Sequence, residues 1–501
     1  MAGTAARLLA SMADADRFPL LAVARLRQRP CPGAWRGPAI VTDMALSPSR
    51  RGLAIAAISL GTVLTTIDGA IVNVALPTIA RDLRVDDSAA VLVVTVYQLV
   101  LVMTLLPFSA LGDKLGLKRL YQLGQLVFSV ATLLCFFANS LPFLLVARAV
   151  QGLGAAATLS VMSAMIRHIY PHSMLGRGLA LNTVCATVSA ALAPTAGGLI
   201  LGIAPWPWVF AAGVPFAMLS LLLGRTALPD VPPHDVAYDG VGAFFCVVTF
   251  GLTISGLESS VHGGSPVVST AITLAGILFA ILFVRHELTQ SHPVMPLDLL
   301  RLPVVGLSCA SSLAAFMAAM LLTLSMPFRL QHVYGFSPRD IGAIMASWPA
   351  VMMVVAPASG ALSDRVPSGL LGAIGMVIAV AAMLLVAFLP VHPGMVDIGW
   401  RMALCGVGFG LFFTPNARLI VGSAPRHRAA SAGGLISTAR LAGQTLGATI
   451  LAALLAFGVG EARGPALAAS ALALLAGIGS LARLNPALRL PSASELEAGA
   501  A

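Results

Sequence analysis

Fourteen long apolar stretches, separated by short polar or Gly/Pro-rich breaks, set the pattern of this chain. They fall at roughly 52–78, 89–112, 119–139, 141–166, 177–202, 206–225, 240–259, 266–284, 303–330, 339–363, 368–390, 397–422, 430–457 and 465–483. A bilayer-spanning helix needs about 20 mainly apolar residues, and each stretch approaches or exceeds that length. Gly and Pro recur inside them, as lipid-embedded helices tolerate. The pattern predicts an all-α integral membrane fold with fourteen transmembrane helices. Residues 1–50 break it. They are rich in Ala, Arg and Pro, and their apolar run from Phe18 to Ala24 is too short for a span or a signal-peptide core. A poorly ordered cytoplasmic tail is expected there, and Met44 would serve equally well as a start.

Composition agrees. The chain is 58% hydrophobic and 10% charged, whereas soluble domains carry about 25% charged residues. The net charge of +10 falls in short clusters between apolar runs, which points to membrane topology and away from nucleic acid. Sixteen basic residues lie at the loops and span ends of one side. Six lie on the other: Arg81, Arg84, Arg329, Arg339, Arg401 and Arg463. The richer side is expected to be cytoplasmic, with both termini there. Six scattered cysteines and nine mostly loop-bound histidines show no ligand spacing, so neither a metal site, a disulfide framework nor a cofactor is expected.

Two segments resemble each other. Ser109 to Lys114 reads S-A-L-G-D-K and Gly360 to Arg365 reads G-A-L-S-D-R, which places Asp113 and Asp364 251 residues apart. Arg177 and Arg428 share that offset. A duplication in one orientation is expected, with the substrate path between the halves. The expected organisation is a tail (1–50), a six-helix half (51–230), an inserted two-helix pair (231–300), a second six-helix half (301–484) and a tail (485–501).

Asp68 carries the candidate chemistry. It sits in L-T-T-I-D-G-A-I-V-N-V-A-L-P, deep in the first stretch. A carboxylate inside a bilayer costs at least about 2.5–3.5 kcal/mol and marks a functional site by default. Asn73 adds a neutral hydrogen-bonding group further along that helix. Arg148, in R-A-V-Q-G-L-G-A-A, is a second costly charge. It either pairs with a carboxylate such as Asp68 or snorkels to the outer face. Asp68 is expected to be the one acid deep in a span, with Glu258 hydrated near the outer end of the seventh.

These segments resemble the major facilitator superfamily, in particular its fourteen-helix drug:proton antiporter branch. The resemblance runs from residue 52 to about 483. It rests on the Asp68 segment, the Leu111–Arg119 loop, the Arg148 segment and A-L-A-P-T-A-G-G at 191–198. Departures include Ser109 for a Gly, Leu117 for an Arg, Ala193 for a Gly and Pro207 for an Arg. The resemblance implies a proton-coupled efflux antiporter of the inner membrane, conferring multidrug resistance by alternating access. It implies proton coupling at Asp68 and Arg148, and a gate at Asp113, Lys114 and Gly116 with a degenerate copy at Asp364 and Arg365. It also implies an antiporter pattern at Pro194, Gly197 and Gly198, and substrate contact at Asp68 and Asn73. A lone carboxylate favours neutral or monovalent cationic lipophiles. The R-x-x-G pattern at Arg440 is expected to be structural. The expected partners are the bilayer, a small lipophilic substrate and the proton, with no nucleic acid, and a monomer fits. An uptake carrier, an exporter of a metabolite, lipid or siderophore, and a non-transporting sensor are the alternatives. An enzyme is not expected, because no His, Asp or Ser cluster sits at one interface.

Overall fold

The computed structural model describes residues 47–170, 174–231, 238–290, 294–424 and 429–485. Most of both expected tails, and the landmark Arg428, lie outside them. Among the described residues there are fourteen helices long and apolar enough to cross a membrane, and no strand. The chain is a multi-pass integral membrane protein. The helices are α1 (Pro48–Leu83), α2 (Asp87–Leu115), α3 (Leu117–Phe136), α4 (Leu141–Ile169), α5 (Leu175–Ile203), α6 (Trp208–Ala227), α7 (Gly240–Val261), α8 (Pro266–Glu287), α9 (Pro303–Phe328), α10 (Pro338–Leu362), α11 (Ser368–Ala387), α12 (Met395–Ser423), α13 (Ala429–Ala456) and α14 (Gly464–Ala482).

Helices are what a lipid-facing chain must form, because hydrocarbon offers no partner to a free N–H or C=O. Proline sits in the first turn of α1, α4, α8, α9, α10 and α14, where its missing N–H costs nothing. α9 runs on as a π turn, Arg329–Val333. That turn aims the buried Arg329 at α11, where it donates to the carbonyls of Val386 (2.9 Å) and Ala387 (3.3 Å) and so caps the helix end. α6 is broken near Gly213 into Trp208–Ala211 and Val214–Ala227.

The packing repeats. In the first six helices α1 packs on α5 and α6, α4 on α2 and α3, and α3 on α6. In the last six α9 packs on α13 and α14, α12 on α10 and α11, and α11 on α14. Glycine contacts fix the register. Gly154 lies against Gly124 and Phe128, and Gly408 lies against Gly375 and Ala379. Thus α3 and α11 correspond at an offset of 251 residues, and α4 and α12 at 254. The two sets meet through α5 on α10 and α2 on α13. α7 and α8 pack on each other, and α7 also leans on α2 and α13.

Candidate functional site

α1 brings Asp68 to face α4, and the pair closes a buried polar network. Arg148 Nη1 donates to Asp68 Oδ2 at 2.8 Å. Gln151, one turn further along α4, donates Nε2 to Asp68 Oδ1 at 2.8 Å and accepts from Arg148 Nη1 at 2.5 Å. Thr132 of α3 accepts from Gln151 Nε2 at 3.0 Å. Arg148 Nε donates to the Val93 carbonyl of α2 at 3.1 Å. The Tyr97 ring covers the guanidinium at 4.2 Å. Asp68 is 6% exposed and Arg148 1% exposed, so the snorkelling alternative is excluded. A buried ion pair is tolerated when other polar groups surround it, and Gln151, Thr132, the Val93 carbonyl and the Tyr97 ring do so here. Gln151 and Thr132 were not singled out from the sequence as partners. Neutral polar residues in a span fit ordinary helix packing equally well.

Between the two six-helix sets lies a cavity of about 350 Å³. Asn73, Tyr97 and Gln98 line it from the first set, and Phe316, Trp348, Phe413, Arg440 and Gln444 from the second. The expectation for substrate contact divides. Asn73 borders the cavity, whereas Asp68 is not among the lining residues and is held by Arg148 and Gln151. Arg440, expected to be structural, also borders the cavity. A larger depression of about 560 Å³ between α7, α8 and α13 is lined mostly by apolar groups.

The α5 pattern works by close approach. A Cβ on Gly198 would lie 2.5 Å from the Pro338 carbonyl, and one on Gly342 would lie 2.5 Å from the Pro194 carbonyl. Only glycine lets α5 and α10 touch this closely. Gly197 faces α1 instead, against Ile71. Near the same end of the bundle, His332 Nδ1 is 2.6 Å from Glu461 Oε1 and 3.3 Å from Asp87 Oδ2. These three metal-capable side chains come from three distant segments. The expectation that no such grouping exists is corrected to that extent, since no sequence spacing links them.

At the opposite end Gly116 joins α2 to α3 with φ +96°, a left-handed value that favours glycine. Asp113 and Lys114 end α2 just before it. Lys118 pairs with Asp230 at 3.1 Å. In the second copy Asp364 pairs with Arg418 of α12, and both are more than half exposed. Arg365 lies in the turn after α10.

The account of Glu258 is corrected. It is 8% exposed and accepts from Thr449 of α13 at 2.5 Å, so it is a second buried acid rather than a hydrated one. α13 covers it, a relation between distant segments that hydropathy along α7 does not carry.

Comparison with known proteins follows from this geometry. The Major Facilitator Superfamily family model matches residues 58–448. The chain is 41% identical over 442 residues to the uncharacterized transporter YebQ of Escherichia coli, covering 88% of this chain and 96% of that one. It is 28% identical over 407 residues to the multidrug resistance protein Stp of Mycobacterium tuberculosis, covering 81% of this chain and 76% of that one. Among solved structures, an inward-facing bacterial homologue of the lysosomal transporter Spinster superposes with a TM-score of 0.67 at 16% identity, over 89% of this chain and all of that one. That similarity shows the fold. The relatives are transporters, not enzymes.

Proposed function

The chain belongs to the Major Facilitator Superfamily, and from that premise we propose that it is a proton-coupled exporter of lipophilic compounds, working by alternating access. The observation that carries the reading is the buried Asp68–Arg148–Gln151 network. A carboxylate in that setting can take a proton when Arg148 withdraws and return it when the pair reforms. Asp68 and Arg148 are the proton-coupling pair, and Asn73 contacts substrate. The α5–α10 contact closes one face of the path, and the Asp113 turn latches the other. Relatedness to Stp supports export of drug-like compounds. The charge asymmetry supports an inner-membrane orientation with both termini cytoplasmic, and reporter fusions after Lys118 (inside) and Gly264 (outside) test it.

Neutral lipophiles fit the cavity as it stands. A monovalent cation would reach Asp68 only after displacing Arg148, and no acid lines the cavity among the described residues. Everted vesicles loaded with the neutral dye N-phenyl-1-naphthylamine give the test. Wild type should accumulate it when the pH gradient is imposed, and Asp68→Asn should not. Full activity of Asp68→Asn would overturn the reading.

A further inference from the structure

The cavity carries a charge that the export reading does not use. Among the described residues, Arg440, on α13, is its one charged lining residue, and none of the lining residues is acidic. The guanidinium makes no hydrogen bond or ion pair with any described residue. This contrasts with the three other arginines buried within the bundle. Arg148 holds Asp68, Arg329 caps α11, and Arg483 is bound to Ser308 and Asn416. Arg440 is partly exposed to the cavity, and a cation held inside the bundle without a protein partner suits a partner that arrives there. Gln444, one turn along α13, borders the same space and adds a second donor. Asn73 Oδ1 and Gln98 Oε1, across the cavity, are buried and also lack partners.

The rest of the wall sets the shape. Phe316 stacks on Phe413 at 4.2 Å and 16°, Phe413 on Phe409 at 5.4 Å and 28°, and Phe409 on Trp348 at 5.0 Å and 22°. Three of these four rings face the cavity. Stacked rings cover one another's faces, so the wall offers an aromatic ligand ring edges along its side and the outer faces at its two ends, Phe316 and Trp348. The volume of about 350 Å³ is at the small end of the range for ligand sites, about 300–1,000 Å³.

We propose that Arg440 and Gln444 recognise an anionic oxygen group, and that the cavity takes flat aromatic mono-anions with the ring on the Phe316–Trp348 wall. The guanidinium fork suits a sulfonate or carboxylate, and a charge-assisted pair is the strongest polar contact this cavity can offer. The proposal rests on the export reading only for the direction of transport; binding stands apart from it.

Two probes share one skeleton and differ by a sulfonate: 1-anilinonaphthalene-8-sulfonate and N-phenyl-1-naphthylamine. Binding of each to the full chain in nanodiscs is measured by equilibrium dialysis, with empty nanodiscs subtracted. Arg440→Gln should weaken the sulfonate probe at least about tenfold more than the neutral one. Arg440→Lys should restore part of that preference. Equal weakening of both probes, or none, overturns the proposal. If Arg440→Gln does not fold, wild type decides. Naphthalene-1-sulfonate should displace the anionic probe, and naphthalene-1-methanol at equal concentration should not. Equal displacement overturns it. Efflux of the neutral probe separates the two readings. Efflux with no sulfonate preference removes the anion site alone, and a preference without efflux removes the export reading alone.

Discussion

The two six-helix halves pack alike but are filled differently. At the 251- and 254-residue offsets fixed by the glycine contacts, Thr132, Arg148 and Gln151 correspond to Met383, Met402 and Cys405, each fully buried. Tyr97 and Trp348 correspond as well. Gly152 lies against the Tyr97 carbonyl and Gly406 against that of Trp348. α9, the counterpart of α1, holds no acid or base from Pro303 to Phe328. One scaffold thus encloses an ion-paired network in the first half and a sulfur-and-aromatic core in the second. The scaffold does not require charge at these positions, because the second half closes with Met383, Met402 and Cys405 there. Buried ion pairs supply stability poorly, which supports the coupling role proposed for Asp68 and Arg148.

The largest effect should come from breaking that asymmetry at its strongest point. Arg148→Ala leaves the Asp68 carboxylate buried without its cation, at a cost of about 3–5 kcal/mol. Met402→Leu, at the corresponding place in the second half, keeps volume and polarity and should cost less than about 1.5 kcal/mol. Thermal unfolding in nanodiscs should rank the two. A smaller loss for Arg148→Ala than for Met402→Leu would mean that the network is not the costly element described here.

The order of that ranking was partly legible in the sequence. Asp68 and Arg148 stood out because charge in a span is expensive, and the fold brings them together. Arg440 is equally charged, but it pairs with no described residue, and only the three-dimensional cavity shows where it borders. The aromatic wall draws on α9, α10 and α12, whose adjacency no local period carries. In α5 the small residues were plain, but not that Gly197 turns to α1 and Gly198 to α10. Glu258 was misjudged for the same reason, since Thr449 reaches it from a distant helix.

A middle-sized effect is expected where the halves touch. Gly342→Val would place atoms within 2.5 Å of the Pro194 carbonyl and 3.0 Å of the Gly198 Cα. Relieving such overpacking costs about 1–3 kcal/mol, enough to shift a two-state equilibrium by about fivefold or more. Spin labels at the exposed Ile203 and Val333 should then move apart. An unchanged distance with intact transport would show that α5 and α10 need not approach this closely.

The smallest effect should distinguish the two copies of the turn motif. Asp364 pairs with Arg418 while 60% and 55% of the two side chains are exposed, and pairs so hydrated contribute about 0–1 kcal/mol. Nor does this pair cross between halves, since both residues belong to the second. Asp364→Asn should therefore leave transport within about twofold of wild type, a difference of no more than about 0.4 kcal/mol. The first copy has a tighter constraint, because Gly116 at φ +96° fixes the turn that follows Asp113. In the second copy Pro367, just before α11, has φ −53° and cannot make that turn. Asp113→Asn should lower the rate at saturating substrate while leaving half-saturation nearly unchanged, as loss of a latch would. If Asp364→Asn proves the more damaging of the two, the gate lies in the second half and the asymmetry between the halves does not extend to their loops.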